Sequence, residues 1–230
     1  MGALTSGDTK PNIKDDEMLS VQFESIAEDS SAIRSLDWNR SRFDIEFGLR
    51  NGTTYNSYLI RGAKTAIVDT SHKKFDEQWF ELLLKIINPK SIDYLIVSHT
   101  EPDHSGLIGK LLDLNPQIEL IGSKVAIQFL ANQVHRPFIN RAVKTGDQLD
   151  LGINKSSHIH HKFEFISAPN LHWPDTIFTY DYGSQVLYTC DAFGLHYCSE
   201  ELFDTDEEII APDFRFYYDC LMGPNSRSVI

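Results

Sequence analysis

Apolar residues recur along the chain in two periods, and the change from one to the other marks where strands give way to helices. Phe43–Gly48, Tyr55–Arg61 and Thr65–Thr70 are short β-prone runs, and Asn51-Gly52 between the first two is a hairpin signal. Trp79, Phe80, Leu83, Ile86 and Ile87 then make a helical stripe along Phe75–Ile87, which Pro89 stops. Tyr94–Ser98 is a continuous apolar run, as expected of a strand buried on both faces. A second helix is expected from about Ser105, with Leu107, Ile108, Leu111 and Leu112 on one face. Ile118–Gly122 reads as another buried strand, and Ser123 as the cap of a helix running to about Asn132. Four further strands are expected at Gln148–Leu151, Lys162–Ala168, Ile177–Asp181 and Val186–Cys190. Before Phe43 the pattern fails: residues 1–20 are polar and aperiodic, and residues 1–37 read as an acidic, mobile N-terminal tail ahead of a domain at 38–230. Strands alternating with helices, then a block of strands, predict the α/β class, with a two-layered sheet core and helices outside.

Candidate chemistry concentrates at one of these junctions. Ser98-His99-Thr100-Glu101-Pro102-Asp103-His104-Ser105-Gly106 places four candidate metal ligands in six residues, between a buried strand and a helix N-terminus. A rigid strand end aims such side chains, and the loop beyond it is free to curl round an ion. Asp103 and His104 are adjacent and point apart, which suits two ions better than one. The plainer alternative is a polar loop in which Asp103 or Ser105 merely caps the helix. His172 and Asp191 each follow a predicted strand, which puts them at strand ends on the same edge of the core as His99. An aspartate in that place can bridge two ions, one oxygen to each.

Composition narrows the partners. A length of 230 residues is enough for one substantial α/β domain, and 41% apolar with 23% charged residues is ordinary for a soluble globular protein. The net charge is −12; residues 1–37 hold eight acids against Lys10, Lys14 and Arg34, and residues 200–219 hold eight against Arg215 alone. Such a surface repels phosphate backbones and argues against nucleic acid as a partner. No apolar run approaches the ~18 residues of a membrane span and no signal-peptide core opens the chain, so no membrane association and a reducing cytoplasm are expected. Met1-Gly2-Ala3-Leu4-Thr5-Ser6 does fit the loose myristoylation pattern. Cys190, Cys198 and Cys220 are too few and too oddly numbered for a disulfide framework.

Taken together the motifs carry a resemblance. His99-x-Glu101-x-Asp103-His104 resembles the metallo-β-lactamase superfamily signature, with Glu101 where a hydrolase carries histidine, a variant typical of flavodiiron proteins. Leu171-His172-Trp173-Pro174-Asp175 with Phe178-Thr179-Tyr180, and Thr189-Cys190-Asp191-Ala192-Phe193-Gly194, resemble that family's later motifs in order and spacing. The first motif is most similar to the diflavin flavoproteins of cyanobacteria, and the resemblance runs from about Phe43 to the end of the chain. It implies a metallo-β-lactamase-like αβ/βα sandwich. It also implies one iron held by His99, Glu101 and His172, a second held by Asp103 and His104, and Asp191 bridging the two. A carboxylate-rich donor set suits redox iron better than zinc. The implied reaction is reduction of O2 to water, or of NO to N2O. Electrons would come from NAD(P)H through FMN, in homo- or hetero-oligomers of flavodiiron chains.

The resemblance also sets out what is expected to be missing. The family has one more histidine, ligating the second iron well downstream of the bridging aspartate. Here the only later histidine is His196, five residues beyond Asp191 and too close to fill that role. No phosphate-cradling Gly/Ser/Thr-rich loop opens a helix, so FMN is not expected to bind this chain alone. Flavodoxin-like and flavin reductase domains are expected to be absent, the fold to be incomplete at its C-terminus, and turnover by the chain alone to be negligible. The rival readings are a dinuclear zinc hydrolase of the same fold, with Glu101 replacing a zinc histidine, and a non-catalytic truncated homologue. His158, His160 and His161 are expected on an exposed surface, and Cys190 and Cys198 in packing roles. Trp173 and Phe193 are expected to form an apolar wall that shields the irons from water.

Overall fold

A computed structural model describes residues 19–43, 47–204 and 207–228. The chain begins with β1 (Leu19–Ala27) and β2 (Ser30–Asp37), the two-residue strands β3 (Arg42–Phe43) and β4 (Phe47–Gly48), then β5 (Thr53–Arg61) and β6 (Thr65–Val68). Helix α1 (Asp76–Ile86) leads to β7 (Tyr94–Val97), α2 (Pro102–Ser105) and α3 (Ile108–Leu114) to β8 (Glu119–Ser123), and α4 (Lys124–Val134) to β9 (Asn140–Val143). Four strands follow, β10 (Gln148–Ile153), β11 (His160–Ser167), β12 (Ile177–Asp181) and β13 (Val186–Tyr188), and then α5 (Glu207–Tyr217). One sheet runs β1-β2-β5-β6-β7-β8-β9, antiparallel as far as β6 and parallel from β6 to β9. The second is the antiparallel meander β10-β11-β12-β13, and β3 and β4 pair separately as a two-stranded ribbon.

The two sheets bury Ile60, Val68, Ile96 and Ile121 against Leu149, Phe163, Phe165 and Ile177. The opposite face of the seven-stranded sheet packs Leu59, Ile67 and Leu95 beneath Trp79, Phe80 and Leu83 of α1, Leu111 of α3 and Leu130 of α4. Two of the helices follow from a local cause. In α1 the buried residues Trp79, Phe80 and Leu83 form one stripe, and Ser123 Oγ accepts the Ala126 amide at 3.0 Å to start α4. This is the expected metallo-β-lactamase-like sandwich of mixed α/β layers.

Four expectations fail. Residues 19–37 are not a tail: β1 and β2 pair antiparallel from Leu19↔Asp37 to Ser25↔Ser31, and every residue of β2 is buried. The polar residues of β2 concealed it, because Arg34, Ser35 and Asp37 have partners reached only in the fold. Arg34 donates to Gln22 Oε1 at 2.7 Å and to the carbonyls of Ser199 and Glu200. Asp37 accepts from Tyr55 Oη at 3.0 Å and pairs with Lys74. Residues 1–18 lie outside the described residues. The hairpin at Asn51-Gly52 does not form either, since β5 pairs with β2 and β6. Gly52 is instead a close-approach residue with φ +67°, where a Cβ would lie 2.4 Å from the Asp37 carbonyl. The helix expected from about Ser105 starts only at Ile108, as α3, with the separate turn α2 before it; between them Gly106 packs so closely that a Cβ would sit 2.9 Å from both Lys73 N and Ser71 O.

The fourth failure is His161, which is 0% exposed. Its Nδ1 lies 2.7 Å from Asp181 Oδ2 and its Nε2 3.4 Å from Asp29 Oδ2, so it ties the β1–β2 turn to the smaller sheet. His160 alone of this pair is exposed, against Asp150 at 2.7 Å. Burial opposes charge on His161, but the two carboxylates outweigh it and raise its pKa. The Asp181 pKa is lowered despite its burial, through hydrogen bonds from His161 and Ser184. The stabilising share of His161 is therefore complete below its unfolded pKa of ~6.5 and is lost as pH rises through the folded value. The share of Asp181 is present above ~3.9 and lost on acidification. His161→Ala should cost roughly 3 kcal/mol near pH 6, the loss from one partner of a buried pair, and should flatten the alkaline limb of the stability profile. An unchanged alkaline slope in urea titrations would contradict this.

Candidate metal centre

Strand β7 carries the site. Its apolar residues fix it within the sheet, and the chain beyond Val97 bends over the sheet edge as Ser98–Glu101 before α2 begins at Pro102. Several buried contacts hold this bend. The Ser98 amide donates to Asp69 Oδ1 at 2.7 Å, and the Ser98 carbonyl accepts from Ile177 N of the opposite sheet at 2.8 Å. Asp175 Oδ2 accepts from Thr100 N at 2.9 Å and from Thr100 Oγ1 at 2.7 Å. The His104 carbonyl accepts from Thr70 Oγ1 at 2.6 Å. His172 and Asp191 arrive from the smaller sheet, on the turns after β11 and β13.

All six expected residues meet at this edge, and they do so in two degrees. His99, Glu101, His172 and Asp191 converge fully. His99 Nε2 is 3.3 Å from Glu101 Oε2 and 3.3 Å from Asp191 Oδ2, and His172 Nε2 is 3.3 Å and 3.0 Å from the same two oxygens. His104 Nε2 takes the other Asp191 oxygen at 2.8 Å and lies 3.5 Å from Asp103 Oδ2. Asp103 is thus beside the cluster rather than within it, and its Oδ1 is buried without a hydrogen-bond partner. A second convergent set is His99, His104, Cys190 and Asp191, with donor atoms all within 4.8 Å of one another.

The electrostatics of this edge call for a cation. Glu101, Asp103 and Asp191 lie at this one edge, and among the described residues no lysine or arginine pairs with them; their partners are histidines. Burial opposes charge on His99 and His104, yet Cys190 and Asp191 hold both pKa values well above the usual histidine range. Burial likewise disfavours the Asp191 carboxylate, but His104 and His99 pull its pKa well below the ordinary range. Burial pushes Asp103 up to about 6. The donor spacing fits a metal as well. An ion bound at ~2.1 Å separates neighbouring donors by roughly 3.0–3.4 Å, and the four histidine-to-carboxylate distances in this set are 3.0–3.3 Å.

A cavity of about 90 Å³ adjoins the site, lined by Asp103, His104, Asp191, His196 and Tyr217 among others. His196 therefore faces the region that its spacing from Asp191 argued against. Its Nδ1 is 3.0 Å from Thr53 Oγ1, its Nε2 is buried without a partner, and burial pushes its pKa down to about 4. Trp173 stands edge-on to His99 at 5.8 Å and walls the site as expected. Phe193 does not, being 53% exposed and turned toward Phe178 at 6.4 Å. Cys198 is buried as expected, whereas Cys190 faces the histidines rather than the core. Sequence reasoning missed Asp69, whose Oδ2 lies 3.3 Å from His104 Nδ1. The signal was slight, because Asp69 fell inside the run Thr65–Thr70 read as a strand, whereas β6 ends at Val68 and leaves Asp69 just beyond it.

Residues 53–227 match the family described as "ODP family beta lactamase". A putative diflavin flavoprotein A 3 from Nostoc sp. is 61% identical over 94% of this chain, which spans 37% of that relative's length. Among solved structures, the metal-soaked flavodiiron core Flv1 from Synechocystis sp. superposes with a TM-score of 0.83 at 34% identity, covering 92% of this chain and 52% of that one. Rubredoxin oxygen:oxidoreductase from Desulfovibrio gigas gives 0.83 at 27% identity, covering 90% and 51%. No helix among the described residues is long and apolar enough to cross a membrane. With the family model matched over residues 53–227 and flavodiiron relatives matched along nearly the whole chain, this chain belongs to the flavodiiron proteins and matches their β-lactamase-like domain.

Proposed function

We propose that the chain is the diiron domain of an oxidoreductase that reduces O2 to water, or NO to N2O. The observation that supports this most is the convergence of His99 Nε2 and His172 Nε2 on Glu101 Oε2 and Asp191 Oδ2, each nitrogen 3.0–3.3 Å from each oxygen. His99, Glu101 and His172 would hold one iron, Asp103 and His104 the other, and Asp191 would bridge them. When bound, a ferrous pair binds a diatomic molecule and supplies electrons, with more delivered from NAD(P)H through FMN. The protein's own part is to orient and to exclude water. Asp175 and Asp69 fix the loop that bears His99 and Glu101, while Trp173 closes one side of His99. The cavity of about 90 Å³ beside His104 and Asp191 exceeds the roughly 10–15 Å³ a single water needs and would admit a small substrate. Pairing with further flavodiiron chains in a cytoplasmic assembly belongs to the same reading.

The test uses the chain loaded anaerobically with iron and reduced chemically. Mixing with O2 or NO should consume the gas in proportion to bound iron, and the zinc-loaded chain should consume none. Hydrolysis of β-lactam or thioester substrates by the zinc form, with no gas consumed by the iron form, would favour the hydrolase instead.

A further inference from the structure

His104 and His99 present the same problem and meet it differently. Each turns one ring nitrogen, Nε2, toward the carboxylates of the centre. An imidazole that binds a metal through Nε2 keeps its proton on Nδ1, and that N–H needs a fixed acceptor to hold the ring in place. For His104 the acceptor is a carboxylate, Asp69 Oδ2 at 3.3 Å. For His99 no carboxylate among the described residues stands there. The atom facing its Nδ1 is Cys190 Sγ, at 2.9 Å, and the same sulfur lies 3.7 Å from His104 Nδ1.

The backbone explains how a thiol comes to be in this place. Cys190 and Asp191 are consecutive, yet they reach opposite sides of one ring: Asp191 Oδ2 approaches Nε2 at 3.3 Å while Cys190 Sγ approaches Nδ1. Adjacent residues in a strand point to opposite faces, so extended backbone would send the two side chains apart. Here the strand has ended at Tyr188, and Cys190 has φ +54°, a left-handed conformation that is rare for residues other than glycine and asparagine. That turn brings both side chains onto His99, as a clasp.

We infer that Cys190 is a positioning residue for the metal centre, accepting the Nδ1 proton of His99 and so fixing that ring's tautomer and orientation, as Asp69 does for His104. This rests on the metal centre proposed above. Because a thiol is a weaker acceptor than a carboxylate, the two imidazoles are made unequal as ligands, His99 less electron-rich than His104.

Zinc serves as a diamagnetic probe for the test, and cobalt as a coloured one. In nitrogen-15 spectra of the zinc-loaded chain, His99 should show a protected Nδ1 proton. Cys190→Ala should lose that signal while the His104 signal stays, and competition titration should show zinc bound roughly 10–100-fold more weakly. Cys190→Ser, whose oxygen accepts the same proton, should keep the signal at a shifted position and recover most of the affinity. Cobalt loading should give no thiolate-to-metal charge-transfer band. A His99 signal and affinity unchanged in Cys190→Ala would overturn the inference, and so would a strong charge-transfer band, which would make Cys190 a ligand. If Cys190→Ala fails to fold, Cys190→Ser decides, since loss of the signal in that folded variant would contradict the acceptor role. Should the wild-type chain take up no metal, the metal-centre reading itself fails. The Nδ1 proton of the metal-free chain, compared between wild type and Cys190→Ser, then still decides whether the sulfur accepts it.

Discussion

Asp191→Ala is expected to empty the centre of both ions while leaving the fold in place. Asp191 is the one carboxylate that touches both halves of the site: Oδ1 is 2.8 Å from His104 Nε2, and Oδ2 is 3.0 Å from His172 Nε2 and 3.3 Å from His99 Nε2. Removing an outer partner of a metal ligand typically costs about 10–100-fold in affinity, and loss of a shared ligand should exceed that for each ion. The histidines should also fall back toward ordinary pKa values, because Asp191 is among the groups that raise His99 and His104. Glu101→Ala should differ, since Glu101 Oε2 touches only His99 and His172. It should weaken mainly the first ion. Metal content after exhaustive dialysis checks both, and two ions retained by Asp191→Ala would mean that the bridge is misassigned.

The largest loss of stability is expected from Trp79→Ala. Trp79 is fully buried between α1 and the seven-stranded sheet, with its ring edge-on to Phe80 at 5.0 Å and its indole N–H donating to Ser57 Oγ at 3.0 Å. Truncating a buried aromatic costs about 3–5 kcal/mol, and Ser57 would be left buried without its donor. For a chain of this length that corresponds to a fall in melting temperature of about 10 °C. A fall of only a degree or two would show that α1 is loosely seated.

The strands that position the site were legible where one cause sufficed. Tyr94–Val97 and Ile121 are apolar because they are buried on both sides, and continuous runs announce that directly. The candidate ligands were legible because four of them sit in one stretch of six residues and the others follow predicted strands. What escaped was whatever depends on pairing across the fold. β2 contributes Ser31, Arg34, Ser35 and Asp37 to the interior, and its acceptability there comes from Gln22, Ser71, Tyr55 and Lys74, distant in sequence or hidden in other elements. His161 was read as exposed because its partners, Asp181 and Asp29, lie on two other elements. Cys190 was read as packing because its role depends on a left-handed backbone conformation that no local pattern marks.

Iron content is the most direct measurement of all. The purified chain should be loaded with ferrous iron under anaerobic conditions, challenged with equimolar zinc, desalted and analysed for both metals alongside its Asp191→Ala variant. A carboxylate-rich centre bridged by Asp191 should retain two irons per chain with little zinc, and the variant should retain neither. Zinc displacing the iron, a single ion per chain, or equal retention by the variant would contradict a diiron centre at His99, Glu101, Asp103, His104, His172 and Asp191.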